Sequence, residues 1–369
     1  MNKTFIAAAL FAAGLGAAHA QEVVKIGSSS PLTGAQAHLG KDMQNGALLA
    51  IEDYNAKGVT IGGKKVKFEL VGEDDQADPK QGTAVAQRLV DAGVKAVIGH
   101  MNSGTTIPAS RIYNQAGIPM VSPSATNVTL TQQGYANVFR TMAHDGKQGP
   151  AGAKFALDKL GKKVAIIDDR TAYGQGLADE VEKTVKASGG TVTAHEFTTD
   201  KTTDFMSILT KIKAQNPDVI YFGGMDPQGG PMLKQIRQLG MNAKFMMGDG
   251  GCTPELIKLA GPAMSNLAYC TQPGVPLEQL PDKNFKDRFK KRFNADVQAY
   301  SPYAYDATSA IIEAMKAANS AEPAKYLPAL KKVSFKGVTG QVSFDDKGDL
   351  KEGAISVYQF ADGKWVPIK

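Results

Sequence analysis

The chain has 369 residues, 43% hydrophobic and 7% aromatic, with a net charge of +6 at pH 7. That length suggests two domains, each with its own core. The charge is spread along the chain, so there is no nucleic-acid footprint. Two Cys and five scattered His argue against a metal site, and no cofactor is expected.

In residues 1–20, Lys3 is the only charged side chain, residues 5–15 are apolar, and Ala18-His19-Ala20 precedes Gln21. That is a secretory signal peptide with cleavage expected after Ala20. Its apolar core is too short to span a bilayer, and no later stretch reaches about twenty uninterrupted apolar residues, so export as a soluble protein is expected. In an oxidising compartment the even count favours a Cys252–Cys270 disulfide.

The remainder alternates strand and helix patterns. Residues 23–28 read as a strand, 41–55 as an amphipathic helix stopped near Gly58, 65–71 as a strand and 79–92 as a helix. A strand over 94–99, a helix over 105–115 and a strand over 118–121 follow. The pattern restarts around 143–150. Helices over 151–160, 174–188, 205–216, 231–239 and 254–259 then alternate with strands over 163–168, 191–197, 218–223 and 244–247. Such alternation predicts parallel sheets with helices on both faces. From Thr271 the chain becomes Pro-rich, and helices over 284–293 and 303–318 precede short alternating strands over 340–344, 354–360 and 364–367.

Two turns carry most of the functional signal. His100-Met101-Asn102-Ser103-Gly104-Thr105-Thr106 ends one strand and opens a helix, and Ser122-Pro123-Ser124-Ala125-Thr126 ends the next strand. Free N–H groups at helix starts beside Ser and Thr hydroxyls suit a small anion such as a carboxylate. In open parallel sheets the ligand crevice lies outside the strand carboxyl ends. Loops at 28–40, 168–174, 223–227 and 248–252 fall at similar strand ends. Among them, Tyr173 is placed to cover a ligand and Asp249 to pair with a cation or to cap a helix. The acidic run Glu73-Asp74-Asp75-Gln76-Ala77-Asp78 lacks the Gly and terminal Glu of a calcium loop and reads as helix-start carboxylates. No P-loop, G-x-S-x-G or H-E-x-x-H pattern occurs, and no Ser/His/Asp constellation is visible.

These residues, in this order, resemble the periplasmic leucine/isoleucine/valine-binding proteins of bacterial ABC importers. The most specific matches are Asp53-Tyr54-Asn55-Ala56-Lys57-Gly58, Asp74-Asp75 with Asp78-Pro79-Lys80-Gln81, and Val97-Ile98-Gly99-His100. Ser122–Thr126, Asp145 with Gln148-Gly149-Pro150, Tyr173-Gly174-Gln175-Gly176 and Asp345-Asp346-Lys347-Gly348-Asp349 also match. The resemblance implies an α/β type I periplasmic binding protein fold, with two Rossmann-like lobes joined by a three-crossing hinge. Lobe one would hold 21–142 and 273–350, and lobe two 143–272 and 351–369.

It also implies the roles of site residues. Ser103 and the Thr126 backbone would take a ligand carboxylate; the Ser124 carbonyl, the Thr126 hydroxyl and Asp249 would take the ammonium. Ala125 lies within that turn. Tyr173 would close over the ligand, and Leu39 and Met225 would line an apolar side-chain pocket. Leu39 and Met225 stand where well-studied members carry aromatics, and Asp249 stands for Glu. The usual Cys pair is replaced by Ala77 and Asn102, so Cys252–Cys270 is a different bridge. The expectation is therefore a monomeric periplasmic receptor, not an enzyme, that hands an aliphatic α-amino acid to the membrane permease subunits of an ABC importer. A sensor of amides or aromatic acids on the same fold, and an amidohydrolase, are the competing readings.

Overall fold

The strand Glu22–Ser30 is the centre of the first sheet in the computed structural model, which describes residues 21–368; the segment read as a signal peptide lies outside the described residues. Glu22–Ser30 pairs in parallel with Lys64–Asp74 on one side and Ala96–Gly99 on the other, so that Ile26 faces both Leu70 and Ala96. Met120–Ser122 and Val138–Arg140 extend the sheet in parallel. The short strand Val59–Ile61 closes the other edge in the antiparallel sense. All four residues of Ala96–Gly99 and all three of Met120–Ser122 are buried, as parallel strands covered on both faces must be.

The second sheet runs, in spatial order, Lys364–Pro367, Ile355–Ala361, Ala268–Pro273, Lys244–Met247, Val219–Gly223, Lys163–Asp168 and Thr191–Phe197. Ile355–Ala361 pairs antiparallel with both of its neighbours, and the strands from Ala268–Pro273 to Thr191–Phe197 pair in parallel. In each sheet the first strand of the unit has a later strand on either side, so the chain reverses its direction of travel beside Glu22–Ser30 and beside Lys163–Asp168. Such reversals open crevices at the strand carboxyl ends, and the candidate turns sit there.

After Arg140 the chain passes to the second sheet. It returns after Pro273 to build Phe285–Phe293, Ser301–Ala317 and Pro323–Leu330, and it rejoins the second sheet at Ile355. Ser301–Ala317 is buried almost all round and packs on Ala37–Lys57. Gly46 permits this approach, because a Cβ there would lie 2.2 Å from the Ser301 carbonyl oxygen.

Local rules set several helix starts. Asp78 accepts the Lys80 and Gln81 N–H groups at 2.9 Å and caps Pro79–Asp91, with Pro79 in the first turn. Thr171 and Thr253 cap Ala172–Ala187 and Pro254–Ala260 in the same way. Asp74 also accepts from Leu32 and Gln76, which agrees with a structural reading of the acidic run. Val59–Ile61, Val138–Arg140, Ala268–Pro273 and Pro323–Leu330 lack a clear sequence signal. They are three-residue edges, or they contain Gln, Thr and Pro where a strand or helix pattern would be apolar and regular.

Candidate functional site

The helix Ser103–Gln115 starts after Ala96–Gly99. The Thr105 and Thr106 N–H groups donate to the Asn102 carbonyl at 3.1 and 2.9 Å, while the N–H groups of Ser103 and Gly104, at the very start, have no intrahelical acceptor. Asn102, at the cap position, does not cap the helix; its amide donates instead to Gln36 at 2.7 Å. The second turn is tied to the first. Asn127 N–H donates to Ser103 Oγ at 3.2 Å, the Ser124 hydroxyl donates to the Met101 carbonyl at 2.9 Å, and Ala125 N–H donates to Ser122 Oγ at 3.0 Å. Arg140, fully buried at the end of its strand, donates to the carbonyls of Ala125 and Asn127 at 3.0 and 2.9 Å and to Asp349 at 2.5 Å. One guanidinium thus brackets Thr126 and binds the turn to the Asp345–Asp349 hairpin. Such a fork of fixed donors suits Arg.

The facing wall comes from the second lobe. Asp249 follows the strand Lys244–Met247 and is 1% exposed. The Tyr173 hydroxyl donates to Asp249 Oδ1 at 3.0 Å and accepts from Gly250 N–H at 3.1 Å. Met225 packs its sulfur against Gly250, where a Cβ would lie 2.6 Å away. Cys252 and Cys270 form a disulfide with Cα atoms 5.4 Å apart, which fastens the Asp249–Gly251 turn to Ala268–Pro273.

Tyr300 completes the wall from the first lobe. Its hydroxyl donates to Asp249 Oδ2 at 2.8 Å. The Asp42 carboxylate holds this residue in place by accepting the N–H groups of Gln298, Ala299, Tyr300 and Ser301 at 2.7–3.1 Å. Neither residue is singled out by the sequence. The one local signal is that Tyr300-Ser301-Pro302 opens a long helix.

Met101, Asn102, Ser103, Ser124, Tyr173, Met225, Asp249 and Tyr300 enclose a cavity of about 10 Å³, roughly one water. An amino acid therefore enters only if the lobes part or the tyrosines rotate. Side-chain contacts that cross the cleft include Tyr300 to Asp249, Asn127 Nδ2 to the Ala172 carbonyl at 2.5 Å, and His38 to Asp226 at 2.8 Å.

The structure thus gathers Ser103, Ser124, Tyr173, Met225 and Asp249 around one space. Ala125 and Thr126 lie buried just behind it, with the Thr126 carbonyl accepting from Asp145 N–H at 2.8 Å. Leu39 stands apart from these. It is fully buried in the core formed with Met43 and Ile98 and does not line the cavity. The helical repeat of Ala37–Lys57 turns Leu39 inward, and its neighbour His38 reaches the facing lobe.

Buried carboxyl groups surround the site. Burial, then the charge of Asp249, pushes Asp145 up to about 8, while the Thr126 hydroxyl and Arg140 pull it back. Burial also raises Asp249, partly offset by its bonds to Tyr300, Gln148 and Tyr173. An ionised Asp249 in this dry setting calls for a cation.

Two further groupings bring chemistry-bearing side chains together. Ser29, His100 and Asp75 do meet, but His100 Nδ1 serves both the Ser29 hydroxyl and Asp75 Oδ2 at 2.9 Å, and all three are fully buried. One nitrogen cannot take a proton from Ser while donating to Asp, so the group knits strands rather than relaying protons. Asp179, Glu182 and His195 bring possible metal-ligand atoms within 4.8 Å of one another. Both His195 nitrogens already face carboxylates, Glu182 at 2.7 Å and Asp168 at 3.1 Å. A roomier cavity of about 360 Å³ beside Cys252, Gln272, Tyr303 and Trp365 is mainly apolar and lacks the helix start facing a buried carboxylate.

A sequence model of the family described as periplasmic binding protein matches residues 23–364. The chain belongs to the periplasmic binding protein family. This binding protein is 38% identical over 373 residues to a Leu/Ile/Val-binding protein homolog 1 of Brucella abortus (strain 2308), covering 99% of each chain. Its fold matches a leucine-binding protein LivK of Thermotoga maritima with a TM-score of 0.87 and 29% identity, covering 94% of this chain and 98% of that one. It matches the branched-chain amino acid substrate-binding protein LivJ of Streptococcus pneumoniae, in complex with isoleucine, with a TM-score of 0.81 and 28% identity over 94% and 100% of the chains. The fold of this binding protein is therefore type I, with two α/β lobes, as the resemblance implies.

Proposed function

We propose that this binding protein clamps an aliphatic α-amino acid between its lobes, with leucine, isoleucine or valine first, and delivers it to the permease of an ABC importer. The observation that carries the reading is the buried Asp249 facing the uncapped start of Ser103–Gln115 across one small cavity. A zwitterion satisfies both ends at once. Its carboxylate meets the helix start, Ser103 and the Thr126 backbone. Its ammonium meets the Ser124 carbonyl, the Thr126 hydroxyl and Asp249, displacing the tyrosine hydroxyls. Met225 and the Tyr300 ring face the side chain, and the conformational freedom of Met admits a range of apolar shapes. The isoleucine complex of the Streptococcus relative, and the Brucella relative's name as a Leu/Ile/Val-binding protein homolog, support the choice of ligand.

The chain works as an exported monomer, released after Ala20, with no chemistry performed on its ligand. Its hinge lies where the chain passes between lobes, near 142–143, 272–273 and 350–351. Titration calorimetry against the twenty amino acids tests the reading. Heats confined to apolar residues, strongest for the branched ones, support it; heats only with amides or aromatic acids lacking an amine overturn it.

A further inference from the structure

Two helix starts meet across the mouth of the cleft. Ala37–Lys57 belongs to the first lobe and Asp226–Gln238 to the second. His38 Nε2 lies 2.8 Å from Asp226 Oδ2, with the His38 side chain 23% exposed and the Asp226 side chain fully buried. The Thr253 hydroxyl donates to the same Asp226 oxygen at 2.6 Å. Asp226 is thus anchored within its own lobe, and His38 is the partner brought by the other. Parting the lobes must break this contact and return the imidazole to water.

We propose that His38 and Asp226 form a proton-dependent latch that holds the two lobes closed over the ligand site. The groups facing His38 are acidic or neutral: Asp226, Glu255 on Pro254–Ala260, and the Ala35 backbone. Burial lowers the affinity of His38 for its proton, but the bond to Asp226 and the charges of Asp226 and Glu255 outweigh it, and the net shift from 6.5 is upward. With the lobes apart these acidic neighbours are lost and His38 reverts toward its ordinary value. Protonation therefore favours closure. The latch is fully engaged below about pH 6.5 and weakens as pH rises through the raised value. A charged pair between a half-buried and a buried partner is one of the strong hydrogen bonds, and it sits at the cleft mouth, where it resists reopening.

Small-angle scattering of the full chain without ligand, at about pH 5.5 and about pH 8.5, reads the latch directly. The parent should expand at the higher pH. His38→Gln should be expanded at both, and His38→Lys, which keeps the charge, should stay compact at both. In a second arm, which rests on the proposed ligand, L-leucine should dissociate about tenfold faster from His38→Gln than from the parent at the lower pH, with the gap closing at the higher. Asp226→Asn should behave like His38→Gln. A parent whose dimensions ignore pH, or a His38→Gln variant that tracks it, overturns the latch. If leucine does not bind the parent at all, the ligand assignment fails while the scattering still decides the latch.

Discussion

Tyr300, carried by the first lobe, donates its hydroxyl to Oδ2 of Asp249, carried by the second, at 2.8 Å. With Tyr173 on Oδ1 at 3.0 Å, both oxygens of the carboxylate are held by phenols when the lobes meet. Neutral donors satisfy the lone pairs but leave the charge uncompensated, and an ammonium is a better partner for a buried carboxylate.

Removing that charge should therefore cost the ligand most of its hold. Asp249→Ala is expected to weaken leucine binding by about 3–5 kcal/mol, because it strands a buried cation. Asp249→Asn should regain part of that through a hydrogen bond. Calorimetry on the three proteins checks the series; equal affinity for Asp249→Ala and parent would show that the ammonium lies elsewhere.

Met225 and Leu39 should behave differently despite their similar polarity. Met225 lines the cavity, so Met225→Ala should shift preference among leucine, isoleucine, valine and phenylalanine by roughly 1–3 kcal/mol. Leu39 lies in the core at 0% exposure, so Leu39→Ala should cost about 2–5 kcal/mol of stability with preference unchanged. Competition binding and denaturant unfolding separate the two effects.

Asp145 should impose a pH slope on stability. Its folded value is raised from 3.8 to about 8, first by burial and then by Asp249. The folded chain thus keeps a proton that the unfolded chain releases. The contribution is complete below about pH 4 and is lost as pH rises toward 8. Between those limits this group alone lowers stability by about 1.4 kcal/mol per pH unit. Asp145→Asn cannot titrate and should lack that slope in urea unfolding at pH 5, 6 and 7. Superimposable slopes for the two proteins would refute the buried, protonated Asp145.

The disulfide closes a loop with a sequence separation of 18, worth roughly 3 kcal/mol in the loop-entropy model. Because it also ties the Asp249 turn to Ala268–Pro273, Cys252→Ser with Cys270→Ser should lower both the melting temperature and the affinity for leucine. Unchanged affinity with a lowered melting temperature would confine the bridge to a stabilising role.

Much of this was legible along the chain. Period-two and period-3.6 patterns placed most strands and helices within a few residues, because burial of one face leaves a local record. Asp78 before Pro79, and Ser103 and Ser124 at strand ends, were readable because caps and turns are settled by neighbours in sequence. The pairing of partners far apart was not. Tyr300 reaches Asp249 only because Asp42 fixes residues 298–301 against Ala37–Lys57, more than 250 positions away in the chain. The choice between Leu39 and His38 for the cleft depended on the rotation of one helix about its axis, which packing against Ser301–Ala317 decides. The meeting of Ser29, Asp75 and His100 followed from strand order, a property of the sheet that no single segment encodes. Local propensity wrote the elements and their ends; register, helix rotation and lobe contact, set by long-range packing, selected which side chains share the site.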